Sequence, residues 1–178
     1  QILAEDEAVD ITDYVFIRGD KDVLNIALEE DKNVLTLVYG KDLWKDTPTG
    51  EDSETGGDDI PDSRQALIRF VSSDVTKGTV TGHGTVQVFT IVDESKVVTP
   101  SSVTVTPAVG YVLSHWKNTE TGKDLSDPFV PMFVTGGMVK EYAAHWAKRT
   151  DLSYTVNYLD LSGMVIAEAK TVTNVTFG

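Results

Sequence analysis

Apolar and polar residues alternate along most of this chain in runs of four to eight, and turn-forming residues separate the runs. That pattern predicts strands joined by tight connections. Tyr14-Val15-Phe16-Ile17 predicts a strand closed by a turn at Arg18-Gly19-Asp20-Lys21. Leu24, Ile26 and Leu28 then fall on alternate positions and predict one shared apolar face. Glu29 to Asn33 predicts a charged turn. Val34 to Tyr39 is apolar at both parities and predicts a covered strand, ended by Gly40. Gln1 to Asp10 is polar with scattered Ile2, Leu3, Ala8 and Val9, as in a short helical turn or an irregular crossover.

A second strand-rich region opens at Gln65 to Val71. Thr79-Val80, Thr85 to Val92, Val103 to Val105, Gly110 to Trp116 and Val139 to Trp146 continue it, with turns at Lys77-Gly78, Gly82 to Gly84, 93–96 and 121–124. Pro128, Pro131 and Gly136-Gly137 predict an irregular stretch before the last strand. Between the two regions, 43–63 combines Thr47-Pro48-Thr49-Gly50 and Gly56-Gly57 with many acids, which predicts a hinge or long surface loop pinned at its start by Trp44. The chain closes with Tyr154 to Gly178, two strand patterns around Gly163. An isolated hairpin is marginal in water, so this one needs a partner.

Composition narrows the picture. Among 178 residues there is no cysteine, which excludes disulfides, thiolate metal sites and cysteine nucleophiles. The net charge of −13 repels nucleic acid and anionic membranes. It suits an extracellular surface and leaves calcium binding open. No apolar run reaches the ~18 residues of a membrane span. The start lacks an initiator Met and a leader pattern, as expected of a mature form or an excerpt.

Few residues suggest chemistry. Arg18-Gly19-Asp20 is an adhesion tripeptide that equally suits a hairpin turn. His115 and His145 each precede a tryptophan. They should face away from a core and become neighbours if their strands pair, as a metal pair or, by default, as two solvent-facing rings. Asp20-Lys21-Asp22 with Asn25, and Glu51 to Asp62, offer oxygen ligands but match no EF-hand loop. Asn174-Val175-Thr176 fits a glycosylation sequon, with chance as the default reading. No catalytic triad or carboxylate pair stands out, so no enzyme is expected and no cofactor is assigned.

Two resemblances organise these observations. Residues 64–148 carry Gly110-Tyr111-x-Leu113-x-x-Trp116, a Gly122 turn and Tyr142-Ala143-x-x-Trp146. This pattern resembles the Listeria–Bacteroides repeats of Gram-positive surface proteins such as internalins. The resemblance implies a compact β-grasp-like module, and Tyr111, Trp116, Tyr142 and Trp146 are the aromatics expected to fill its core. Tyr154-Thr155-Val156-Asn157-Tyr158-Leu159-Asp160, Gly163 and Ile166-Ala167 resemble the opening of a mucin-binding-protein (MucBP) type repeat. Asp13-Tyr14-x-Phe16 and the strand ending at Tyr39 resemble its close. The halves stand in reversed order. Joined tail to head they form one unit, in which Lys41 and Asn157 are candidates for an isopeptide bond of the kind known in pilins.

The expected fold class is all-β, with small β-grasp-like modules in tandem. The expected divisions are 1–42, the acidic linker 43–63, a module over 64–149 and the hairpin 150–178. Three arrangements would complete the split unit: closure within the chain, strand addition between successive copies, or covalent tandem repetition. In the last two, Val156, Tyr158, Val165 and Ile166 would meet Tyr14, Phe16, Leu24, Ile26, Leu35 and Leu37 of the next copy. The expected role is a structural repeat of an extracellular bacterial surface filament or adhesin stalk, partnered by copies of itself. The alternative is a glycan- or mucin-binding module, for which Trp44 is the one candidate aromatic platform. No nucleic acid and no membrane insertion are expected.

Overall fold

The fold was obtained as a computed structural model, which describes residues 1–45 and 56–178. It is all-β. Helical geometry among the described residues is confined to single 3-10 turns at Glu30–Lys32 and Asp62–Arg64.

The centre is a five-stranded sheet. Its strands are β5 (Gln65–Ser72), β7 (Val86–Thr90), β10 (Tyr111–Asn118), β11 (Asp124–Leu125) and β13 (Val139–Lys148), in the order β11-β10-β13-β5-β7. Neighbours are antiparallel except β13 and β5, which run parallel from Val139↔Leu67 to Ala144↔Ser72. The chain between β5 and β13 supplies the crossover that a parallel pair requires. It contains β6 (Gly78–Thr81), β8 (Lys96–Val98), β9 (Thr104–Pro107) and β12 (Met132–Val134). These pair as β6-β9 and β8-β12, two ribbons whose apolar residues pack over one face of the sheet.

Strand β5 is buried on both faces because it lies between neighbours and beneath a cover, as its run of apolar residues requires. Ala66, Ile68 and Phe70 point to the covered face, where Phe70 is the hub. Its ring stacks on Tyr142 at 5.7 Å, meets Trp116 edge-on at 5.7 Å and touches Phe129 at 4.9 Å between centroids. The stretch expected to be irregular thus delivers Phe129, Met132 and Val134 to the core. Of the four expected core aromatics, Trp116 and Tyr142 are buried. Trp146 packs at the margin, its indole against Gly78 and its Nε1 donating to Ser72 Oγ at 3.0 Å. Tyr111 corrects the expectation. It lies outside this cluster, half-buried, with its ring 6.3 Å from that of Phe177.

The N-terminal region forms two small ribbons. β1 (Ile2–Leu3) pairs with β3 (Val23–Leu24), and β2 (Tyr14–Gly19) pairs with β4 (Leu37–Lys41). The apolar alternation from Val23 to Leu28 does not extend the strand. Asn33 takes both backbone groups of Ala27: its Oδ1 accepts from the Ala27 amide at 2.7 Å and its Nδ2 donates to the Ala27 carbonyl at 2.9 Å. Leu24 is buried while Ile26 and Leu28 are exposed, so the three share no covered face. Strand β4 begins three residues later than expected for a similar reason. Lys21 Nζ holds the Val34 carbonyl and the Asp20 carboxylate holds the Thr36 amide.

After β13, β14 (Leu152–Leu159) and β15 (Val165–Val175) form the C-terminal hairpin. It pairs with neither β2 nor β4, so closure within one chain is not the arrangement adopted.

Candidate junction surfaces

Eleven residues of β15 at ~3.4 Å each make the hairpin about 35 Å long. It is tied to the rest of the chain at its base. The Phe177 amide donates to the Arg149 carbonyl at 2.9 Å, the Arg149 amide donates to the Gly110 carbonyl at 2.9 Å, and the Phe177 ring packs on Gly110. Gly110 has φ +83, a conformation that favours glycine, and a Cβ there would collide with the ring. Arg149 clamps Asp151 with two hydrogen bonds at 2.9 and 2.8 Å, which holds that carboxyl below its usual pKa. At the far end, Asp160 Oδ1 accepts from the Ser162 hydroxyl and from the Ser162 and Met164 amides. These bonds lower its pKa and fix the turn at Gly163.

Register and bulges sort the hairpin's side chains onto two faces. Directly opposed residues share a face. Tyr158↔Ala167 and Leu159↔Val165, with bulges on either side of Tyr158, place both Tyr158 and Leu159 with Val165, Ala167 and Ala169. Together they line an open groove of about 310 Å³. Tyr154↔Val172 and Val156↔Lys170 belong to the opposite face, with Ile166. The four expected junction residues of the hairpin therefore divide: Tyr158 and Val165 on one side, Val156 and Ile166 on the other. All but Val156 are exposed. Leu159, Leu161 and Met164 are exposed apolar residues that sequence reasoning left out, although their hydrophobicity was visible.

On the N-terminal side, Tyr14 and Ile26 are exposed, Phe16, Leu35 and Leu37 half-buried. Leu24 is not free to meet a second copy, since its own chain buries it. Phe16 meets Tyr39 edge-on at 5.8 Å. Ile2, Leu24, Leu35 and Leu37 line an open groove of about 220 Å³.

The described ends of the acidic linker are bridged by carboxylates. Buried Asp42 accepts from the amides of Asp58 and Asp59 at 3.0 and 2.9 Å. Asp62 Oδ1 accepts from Leu43 and Trp44 at 2.9 and 3.0 Å. Asp58 binds the Gln65 amide nitrogen at 2.8 Å. Glu51, Asp52 and Glu54, whose carboxylates offered oxygen ligands in an acidic loop, lie outside the described residues. Trp44 pins the linker as expected. It is half-buried against Leu67, Val86 and Val88.

Arg18 and Gly19 lie within β2, with Gly19 buried and opposite Leu37; Asp20 is fixed to Thr36 through backbone and side chain. The tripeptide is therefore not the tip of a loop. Lys41 and Asn157 belong to separate ribbons that do not pair within the chain.

His115 and His145 stand directly opposite each other on β10 and β13. Their rings stack 4.9 Å apart and within 6° of parallel. A bulge at Ser114 turns His115 to the face opposite Trp116. His115 Nδ1 lies 3.0 Å from Ser114 Oγ, and Nε2 lies 3.4 Å from Asp124 Oδ1, which Lys117 Nζ also approaches at 3.5 Å. Burial is the main cause that lowers the pKa of His145. The charges of His115 and Lys117 add to it and Asp124 opposes it. Among the described residues no group of three or more acidic or imidazole side chains is arranged as a metal cage.

No family model, curated protein or solved structure matches this chain. No helix among the described residues is long and apolar enough to cross a membrane. The fold defines an all-β protein.

Proposed function

We propose that the chain is a structural repeat unit whose two ends join head to tail with copies of itself, as in a surface filament or adhesin stalk outside the cell. One observation carries this reading: among the described residues, a long hairpin with apolar side chains on both faces pairs with no other strand. Such a hairpin is marginal alone, and exposed apolar patches of this kind mark interaction surfaces. The N-terminal ribbons supply the second open surface. Head-to-tail contacts that do not close produce a filament.

Strand addition between molecules and covalent tandem repetition both fit this geometry. The central sheet supports the grasp-like reading of the module, because its first and last long strands are parallel neighbours within it. The strongly acidic composition suits an extracellular setting. Each large side chain fully buried at a joint contributes ~1.5–3 kcal/mol before ordering costs. Leu24 contributes nothing, being buried already.

The test compares the single chain with two copies in tandem. In the tandem protein, amides of the first hairpin should gain hydrogen-exchange protection over those of the single chain at low concentration. The single chain should associate end to end as its concentration rises, seen by sedimentation velocity. A hairpin equally unprotected in both proteins, with a monomer at millimolar concentration, would overturn the reading.

A further inference from the structure

We propose that β14 pairs with β14 of a second copy, antiparallel about a two-fold axis at Thr155, so that two hairpins become one four-stranded sheet in the order β15-β14-β14-β15. This contact differs from the head-to-tail joint and does not rest on it. A two-fold contact closes at two copies, whereas a head-to-tail contact continues. Four strands also relieve the marginal stability of a lone hairpin.

The hairpin has two outer edges, and they are not alike. Among the described residues no other strand pairs with either. The edge of β15 is guarded. At each register shift of the ladder the extra residue belongs to β15: from Val156↔Lys170 to Tyr158↔Ala167, β14 advances two positions and β15 three. This strand also carries Glu168 and Lys170, and its Asn174 has a left-handed φ of 57°. Bulges and charges disfavour the addition of a strand. The edge of β14 has none of these devices. Leu152 to Leu159 contains no charge, proline or glycine. Its residues Tyr154, Thr155 and Val156 pair with Val172, Thr171 and Lys170 without a shift. A regular, uncharged edge is a template for another strand.

Charge and pattern identify that strand as a second copy. The chain carries a net charge of −13, so two copies repel over most of their surface. The charged residues of 150–178 are Asp151, Asp160, Glu168 and Lys170, and none lies in β14. Two copies can therefore approach there without bringing like charges together. About an axis at Thr155, Tyr154 lies opposite Val156 of the other copy, Ser153 opposite Asn157, and Thr155 opposite its own counterpart. Aromatic residues against β-branched ones, and hydroxyl against hydroxyl, are favourable cross-strand pairs. Moving the axis to Val156 would set Ser153 against Leu159 and Leu152 against Asp160. Moving it to Tyr154 would set Asp151 against Asn157 and Thr150 against Tyr158. The contact at Thr155 is small, so the dimer should be weak and reversible.

The experiment follows dimerisation of the full chain by sedimentation velocity. Thr155→Lys and Thr155→Asp each set like charges against each other at the axis, and each should dimerise at least tenfold more weakly than the parent. Mixed in equal amounts they set Lys against Asp, and the mixed dimer should form at least tenfold more readily than either variant alone. Thr155 is exposed, so both variants should fold, which amide spectra check. If one does not, Thr155→Cys and Thr171→Cys decide, because the chain has no cysteine of its own. Mild oxidation should link two copies through position 155. It should not link them through position 171, which would lie three strand spacings, about 14 Å, from its counterpart. A parent chain that stays monomeric up to about 1 mM overturns the proposal. So do single variants that dimerise as well as the parent, a mixture that gains nothing over its components, or equal linkage through 155 and 171.

Discussion

The ring of Phe177 fills the space that any side chain on Gly110 would occupy. This contact, with the Phe177 amide bonded to Arg149, is where the hairpin's returning strand meets the module. Gly110→Ala both strains a backbone at φ +83 and displaces the ring. It should cost about 1–3 kcal/mol of docking at the hairpin base. Hydrogen exchange should rise across 152–177 and stay unchanged in β5.

Removing the hub of the core should be far more damaging. Phe70→Ala leaves a cavity among Tyr142, Trp116 and Phe129 and should destabilise the module by about 3–5 kcal/mol in a denaturant titration.

The two faces of the hairpin make separable predictions. Tyr158→Asp charges the face with the groove and Ile166→Asp the opposite one. Both residues are exposed, so neither substitution should move the melting temperature by more than a degree or two. If the grooved face is the one that joins, Tyr158→Asp should weaken self-association at least tenfold in sedimentation velocity. Ile166→Asp should then change it little.

The linker should depend on Asp42. Asp42→Ala leaves two backbone amides without their acceptor and should cost about 1–3 kcal/mol. Trp44 fluorescence should shift to the red as its packing on Leu67 loosens.

Acid should act first at His145. His145 has a lowered pKa in the fold, so between that value and the free-histidine value of about 6.5 the unfolded chain binds more protons. Stability is therefore present above about pH 6.5 and lost as pH falls through the depressed folded value. His145→Gln should flatten that portion of the pH profile. Asp74 follows the same sign at lower pH. Hydrogen bonds from Thr76 and the partner Lys77 bring its pKa to about 2. Its carboxylate should stay ionised, and its turn intact, until well below the ordinary aspartate range in an NMR titration.

Much of the central module was legible in the sequence, because period-two patterning survives wherever a strand has one wet and one dry face. That His115 and His145 face away from the core followed from their places beside Trp116 and Trp146 and made them neighbours once their strands paired, although the bulge at Ser114 left no mark that patterning can show. The N-terminal ribbons were less legible. There Asn33, Asp20 and Lys21 satisfy the backbone through side chains, and these bonds end strands where hydrophobicity alone would continue them. Phe129 and Val134 were hidden by the prolines and glycines around them. Turn chemistry describes the path of a loop and says nothing of what the loop carries inward. The division of Tyr158 and Val165 from Val156 and Ile166 depended on register, which one strand's sequence does not contain.

The parallel pairing of β5 and β13 has a consequence under tension. A pull transmitted along the backbone enters β5 at Gln65 and leaves β13 at Lys148, at opposite ends of the shared ladder. The two strands must slide past each other in shear, and all their hydrogen bonds resist together. A pull between Leu152 and Val175 meets the opposite geometry. Those residues are neighbours at the mouth of the hairpin, so its rungs would break in succession, each bearing the load alone. The module would stay shut while an unsheltered hairpin peeled open, giving the chain a stiff element and a compliant one in series.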